Sequence, residues 1–216
     1  MEQMLYGVAF SCLILPTLSV LTTVYHLATT SRPWNPTTSV KLPLWSRWCD
    51  LVTLAYFAFN LGLVCYIVDI EQILITNPHD AAEVAAVAWP PQPMISLIHW
   101  YAHNYDPVLL ARPPWWRATI WVDVLFYGPF YVLASYALIK GANWIRIPAI
   151  IYSASILTVL LVILFEETLG DHATPSWDLV MLLNAPWVVL PAMILLRMSL
   201  SPLPFSIHAN PKSKTS

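Results

Sequence analysis

An all-α integral membrane protein, built as a bundle of five transmembrane helices, is the fold class predicted for this 216-residue chain. Three observations predict it. Hydrophobic residues make up 58 % of the chain and charged residues only 10 %, outside the usual composition of soluble domains. Five charge-poor apolar stretches each hold about 20 residues, the length a helix needs to cross roughly 30 Å of hydrocarbon. Trp (11) and Tyr (10) are abundant, as expected where amphipathic rings sit at the headgroup level.

The first stretch, LYGVAFSCLILPTLSVLTTVYHL from Leu5, has Glu2 and no Lys or Arg before it, and no small-residue cleavage site follows. It is therefore expected to span the membrane, within residues 1–28, rather than act as a secretory signal. Residues 29–47 then form a loop, and the second stretch, LVTLAYFAFNLGLVCYIV, lies between Asp50 and Asp69. The loop from Asp69 to Arg117 carries WPPQP and ARPPWW. Each Pro removes a backbone donor and restricts its predecessor, so no continuous helix fits there. A short helix around MISLIHWYAHNY does, and the loop is expected to fold over one end of the bundle as a lid.

The third stretch runs from Arg117 to Lys140 and contains one acidic residue, Asp123. The fourth is IPAIIYSASILTVLLVILF from Ile147, and the fifth is LVMLLNAPWVVLPAMILL between Asp178 and Arg197, where Pro186 and Pro191 predict a kink. Basic residues favour the cytosolic side of short loops. Arg32, Lys41, Arg47, Lys140, Arg146, Arg197, Lys212 and Lys214 then place the tail in the cytosol. The amino terminus and the long loop, which mixes Arg112 and Arg117 with Glu71, Asp80, Glu83 and Asp106, face the lumen. The ending KSKTS resembles a dilysine retrieval signal and points to the endoplasmic reticulum membrane; a plain solvated basic tail fits nearly as well.

Several chemistries are excluded by what the sequence lacks. The loops have no basic surface suited to nucleic acid. His26, His79, His99, His103, His172 and His208 do not combine with Cys or carboxylates at metal-ligand spacing, so no metal is expected. With 5 Gly there is no phosphate-cradling loop, no nucleophile elbow is present, and no cofactor is implied. Cys12, Cys49 and Cys65 lie in or at spans and read as small packing residues.

Asp123 is the anomaly. An ionisable group at mid-membrane costs roughly 2.5–3.5 kcal/mol unless it faces protein, water or a partner, so it is expected to point inward. It serves there either as an interhelical hydrogen-bond anchor or as a ligand or proton-transfer group. Six residues past Arg117, it lies about 9 Å deep at 1.5 Å per residue. Asn184, six residues past Asp178, is at the same level, and Asp69 ends its span slightly above both. Two carboxyl groups meeting in a low dielectric cannot both ionise cheaply, so one of Asp69 and Asp123 keeps its proton. Trp121, Tyr127 and Trp187 are the aromatic candidates for the cavity wall, with core packing the alternative for Trp121. Asp106, before Pro107, is expected to shape the lid by capping a turn or helix start, with ligand contact as the alternative.

The segment WYAHNYDPVLLARPPWW…DVLFYGPFYVLASYALIKGANWIRIPAIIYSASILTVLLVILFEE resembles the sigma-2 receptor (transmembrane protein 97) family of the EXPERA superfamily. The likeness extends from RWCDLVTLAYFAF…VDI to NAPWVVLP. It implies a four-helix EXPERA core over residues 48–198, with one additional amino-terminal helix and a cytosolic tail at 199–216. It also implies an occluded pocket that takes sterols or other isoprenoid lipids and cationic amphiphilic small molecules, in a membrane setting with room for a homodimer. On this resemblance Asp69 is the amine-binding acid, allowing a one-residue gap. Asp123 stands where the family has a glutamate, and Asp106 matches the family's aspartate before proline.

The extra helix and Asn184 are instead similar to the emopamil-binding proteins, the sterol isomerases of the superfamily. Their histidine and glutamate, one turn apart, have no counterpart near Val64. Three readings follow: a sterol- or lipid-binding membrane protein; an isomerase or cyclase using Asp123 as proton donor with Asp69 assisting; and a trafficking or quality-control factor that needs no ligand.

Overall fold

The computed structural model describes residues 39–208. The predicted first span at 1–28 and the KSKTS ending lie outside the described residues. In chain order the elements are strand β1 (Ser39–Lys41), helix α1 (Trp48–Leu74), short helices α2 (Ala81–Ala86), α3 (Gln92–Asn104) and α4 (Val108–Ala111), then helices α5 (Pro114–Lys140), α6 (Asn143–Leu169) and α7 (Trp177–Leu200), and strand β2 (Ser206–His208).

Four helices, α1, α5, α6 and α7, are long and apolar enough to cross a membrane, and they correspond to the second to fifth predicted stretches. Each runs past the charges used to bound it. Asp50, Glu71 and Glu167 all lie inside helices, because a charge marks where hydrocarbon ends and not where backbone hydrogen bonding does. The fifth stretch stays helical through Pro186 and Pro191. Strand pairing among the described residues is confined to the antiparallel β1–β2 ribbon, with Val40 opposite Ile207.

Local chemistry sets the helix ends. Pro113 and Pro114 open α5, where a fixed φ near −65° suits the first turn and the missing N–H has no partner to lose. Gly141 closes α5 at φ 60°, the left-handed C′ position that disfavours a Cβ. Within α1 the stretch Asn60–Asp69, and within α5 the stretch Asp123–Tyr127, widen from α to π hydrogen bonding. Such widened turns redirect side chains and recur at functional sites. Asp69 closes the first and Asp123 opens the second.

The core lies among α1, α5 and α6 and is mostly aromatic. Phe57, Tyr127, Phe130, Tyr131 and Tyr152 are all buried, Phe130 stacks on Tyr152 at 4.4 Å between centroids, and Tyr152 links by its hydroxyl to Tyr56 (3.2 Å) and Tyr131 (3.3 Å). Membrane helices gain little from apolar burial against one another, so shape fit and interhelical hydrogen bonds of this kind hold the bundle. Close approach helps: a Cβ on Gly128 of α5 would sit 3.6 Å from the Asp123 carbonyl and 3.9 Å from Cys65 Sγ of α1.

At the tail end, Asp50 is fully buried and pairs with Arg47 (2.5 Å) and Arg197. Both guanidinium groups lie over the Phe205 ring, at 5.2 and 5.4 Å, and Arg47 also donates to the Leu138 carbonyl at 2.8 Å. One carboxylate therefore clamps α1 to α7, and Phe205 seals it. Asp50→Ala is expected to lower stability by about 3 kcal/mol or more, since it strands two largely desolvated cations. A fall in the thermal midpoint in detergent micelles, with little change for the exposed control Lys140→Ala, would be the corresponding measurement.

The opposite end is covered by residues 75–113. Ile95, Ile98, Ala102 and Val108 turn inward and are buried. Glu71, at the end of α1, is fully buried and accepts from Arg112 Nη2 at 2.8 Å on both oxygens and from His99 Nε2 at 2.8 Å. Arg112 reaches it by adopting φ 45°, and it also donates to the Ile75 carbonyl. A left-handed non-glycine residue costs about 1–3 kcal/mol, sustained here by the ion pair it makes. This staple holds the lid to α1.

Candidate functional site

Beneath the lid, α1, α5, α6 and α7 enclose a cavity of about 770 Å³. Its size is in the range of small-molecule sites, roughly 300–1,000 Å³. The walls are apolar: Leu63, Val64 and Val68 from α1, Ile156, Val159, Leu160 and Ile163 from α6, and Leu190 from α7. Tyr56 and Tyr127 belong to both the cavity lining and the aromatic core and so form the boundary between them. Val52 and Phe59 of α1 and Leu183 and Pro186 of α7 line the cavity and are also exposed on the outside of the bundle. The cavity thus has a lateral mouth between α1 and α7, at the depth of the spans. Trp187 bridges this seam: its Nε1 donates to Asn60 Oδ1 at 2.7 Å, and its ring lies 6.0 Å from that of Phe59.

The polar lining is acidic. Asp69, Asp106, Asp123 and Glu167 all face the cavity, and no Lys, Arg or His is among the described residues that line it. Asp69 and Asp123, from separate spans, come together with Cys65; one potential ligand atom from each of the three lies within 4.8 Å of the others. Cys65 Sγ donates to Asp123 Oδ1 at 3.2 Å. Asp69 is 2 % exposed, and its Oδ2 has no hydrogen-bond partner among the described residues. Both acids sit at the ends of the widened stretches, Asp69 closing the one in α1 and Asp123 opening the one in α5. Two oxygens and a sulfur at this spacing can accept from an ammonium group, coordinate a cation, or share a proton between the carboxyls.

Asn184 also lines the cavity, but its partner is Glu167. Its Nδ2 donates to Glu167 Oε2 at 3.0 Å and Oε1 at 3.3 Å, and to the Val180 carbonyl at 3.1 Å. The residue matched by depth counting to Asp123 instead serves an acid on the neighbouring helix α6. Tyr127 lines the cavity and exchanges a 2.7 Å hydrogen bond with Ser155. Trp121 does not belong to the cavity; it is 49 % exposed on the outer face of α5. The correction follows from helix geometry, as a residue two positions before Asp123 is rotated about 200° away from it.

Asp106 stands directly before Pro107, the N-cap of α4. Asp106 is buried, lines the cavity, and leaves Oδ1 without a partner among the described residues. Burial pushes its carboxyl up to about 6. Tyr101 beside it is raised too, by burial first and then by the negative fields of Asp106 and Glu167. Between the ordinary aspartate value of about 3.9 and 6, folded Asp106 holds a proton that the unfolded chain has released, so stability falls as pH rises through that window. Ligand-free Asp106→Asn is therefore expected to match the parent near pH 4 and to exceed it near pH 7.5 by up to about 3 kcal/mol at 1.4 kcal/mol per unit. Thermal midpoints measured at both pH values check this.

Sequence reasoning missed Glu167, Cys65, Tyr56 and Trp116. Glu167 stood in LFEE, where a pair of acids reads as the end of a span. The available signal was helical spacing: Glu167 falls four residues after Ile163 and seven after Leu160, on the cavity face of α6, whereas Glu166 lies off that face and pairs with His172 at 2.6 Å. Trp116 is buried, lines the cavity and donates to Gln72 Oε1 at 2.5 Å.

Comparison with known proteins agrees with this architecture. The sequence model of the family described as EXPERA (EXPanded EBP superfamily) matches residues 93–198. Sigma intracellular receptor 2 of Xenopus tropicalis is 32 % identical over 145 residues, covering 61 % of this chain and 84 % of the relative. Sigma intracellular receptor 2 of Macaca fascicularis and of Homo sapiens are each 34 % identical over 126 residues, covering 50 % of this chain and 69 % of each relative. Four membrane-length helices, a family match across three of them, and relatives covered over most of their length lead to one conclusion: the chain belongs to the EXPERA family and is a multi-pass membrane protein of sigma-2 receptor type.

Proposed function

We propose that the protein binds a sterol or other isoprenoid lipid of the endoplasmic reticulum membrane in the cavity, and that the same cavity takes cationic amphiphiles. The observation that carries this reading is the acid lining: four carboxyl groups, no base among the described lining residues, and otherwise apolar walls. Unpaired carboxylates in a low dielectric are expensive, so such a chamber favours either protonated acids or a bound cation. A tertiary ammonium satisfies Asp69 or Asp123 while its apolar body fills the space below. A sterol uses its hydroxyl at the same place. The mouth between α1 and α7 supports entry from the bilayer. In this reading the lid and amino terminus face the lumen and the tail faces the cytosol, as the distribution of basic residues suggests.

Extraction of lipid from protein purified in mild detergent, followed by mass spectrometry, tests the proposal. A sterol or isoprenoid recovered near one per chain and displaced by a cationic amphiphile is the expected result. Bulk phospholipid alone, unaffected by the amphiphile, would overturn it.

A second reading has one specific support. Asp123, Tyr127 and Trp187 all line the cavity, so a proton donor and aromatic rings share one apolar space. That arrangement suits protonation of an alkene and stabilisation of the resulting carbocation. Incubation with an unsaturated sterol in D2O would then place deuterium in an isomerised product, and Asp123→Asn would abolish it.

A further inference from the structure

Glu167 is 2 % exposed and has one neutral side-chain partner, Asn184, which donates to both of its carboxylate oxygens. No cationic side chain pairs with it among the described residues. The segment after α6 brings Asp106 to it. Thr174 N donates to the Glu167 carbonyl at 2.8 Å, and Thr174 Oγ1 donates to the carbonyl of Tyr105, the residue before Asp106, at 2.5 Å. Both carboxyls face the cavity, and Asp106 Oδ1, on a residue 6 % exposed, has no partner. Neither belongs to the tight cluster of Cys65, Asp69 and Asp123. Asp123 sits nine residues into α5 from its lid end, about 13 Å along the axis, whereas Glu167 is two residues from the end of α6, about 3 Å. The chamber therefore has two acidic centres, one deep and one beneath the lid.

We propose that Glu167, oriented by Asn184, forms with Asp106 a second cation-binding subsite under the lid, so that the chamber prefers dibasic amphiphiles over monobasic ones of equal length. The inference rests on the amine-binding reading above. A ligand with one ammonium group satisfies the Asp69–Asp123 centre and leaves the lid centre without a counter-charge. A second ammonium at the right spacing satisfies both, and the Asn184 amide holds Glu167 in place to receive it.

The test compares α,ω-bis(dimethylamino)alkanes having spacers of four to ten carbons with monoamines of the same chain length, on purified full-length protein in detergent at pH 7.5. At one optimal spacer the diamine is expected to bind at least tenfold more tightly than its monoamine. Glu167→Gln, which keeps an acceptor for Asn184, is expected to reduce that ratio to within twofold, and Asp106→Asn to reduce it in part. An equal affinity of diamine and monoamine at every spacer would overturn the second subsite while leaving the first intact. So would a diamine preference that persists in both variants. Failure of both compounds to bind would overturn the subsite together with the reading it rests on.

Discussion

Replacing Asp69 with Asn is expected to weaken binding of a tertiary-amine amphiphile by on the order of 10- to 100-fold while changing the affinity of its uncharged carbon isostere less than threefold. Asp69 is almost fully buried, and one of its oxygens has no protein partner among the described residues, so an ammonium gains a charge-assisted hydrogen bond there. Such bonds contribute about 1.5–3 kcal/mol, and each 1.4 kcal/mol is a factor of ten. Asn is nearly isosteric, so the cavity keeps its shape and the isostere reports on shape alone. Asp123→Asn is expected to act in the same direction with a smaller effect, because Cys65 already satisfies one of its oxygens. Equal losses for amine and isostere, read by calorimetric titration, would show that the substitution acted on packing and not on charge.

The second large effect belongs to the lid. Glu71→Ala is expected to lower stability by about 3–5 kcal/mol, the range for removing one partner of a buried ion pair. It leaves the Arg112 guanidinium buried without its carboxylate and takes from His99 its acceptor. The strained backbone at Arg112 then loses the ion pair that sustains it and keeps only bonds to the Ile75 and Leu109 carbonyls. Limited proteolysis is expected to cut first within residues 75–113, before the spans are touched, and the thermal midpoint in micelles to drop by many degrees. A stability loss under 1 kcal/mol would mean that apolar packing of Ile95, Ile98 and Val108 holds the lid without the staple.

Much of this was legible from charge spacing. Long apolar runs locate the four described spans because a bilayer tolerates few charges, and the prolines of the 75–113 segment exclude a continuous helix there. Asp69 and Asp123 stood out because a carboxyl in an apolar run needs a reason. Their meeting was suggested by depth, although depth says nothing of direction around a helix. That missing angle explains the misplaced wall residue Trp121, which shares Asp123's depth and points the other way, and why Asn184, which does line the cavity, pairs with Glu167. The widened turns in α1 and α5 were invisible, since π hydrogen bonding leaves no residue signature comparable to a cap or a proline. Asp106 was expected to shape the lid by capping a turn, and Glu167 was not singled out, because sequence position alone cannot distinguish a solvated helix end from one buried under a lid.

The most direct measurement is an experimental structure with a dialkylammonium amphiphile bound. The predicted result is its nitrogen within about 3 Å of a carboxylate oxygen of Asp69 or Asp123, with the apolar body extending between Val64, Leu160 and Leu190. Density placing the nitrogen outside the α1–α7 mouth, with those carboxyls facing only one another, would contradict it.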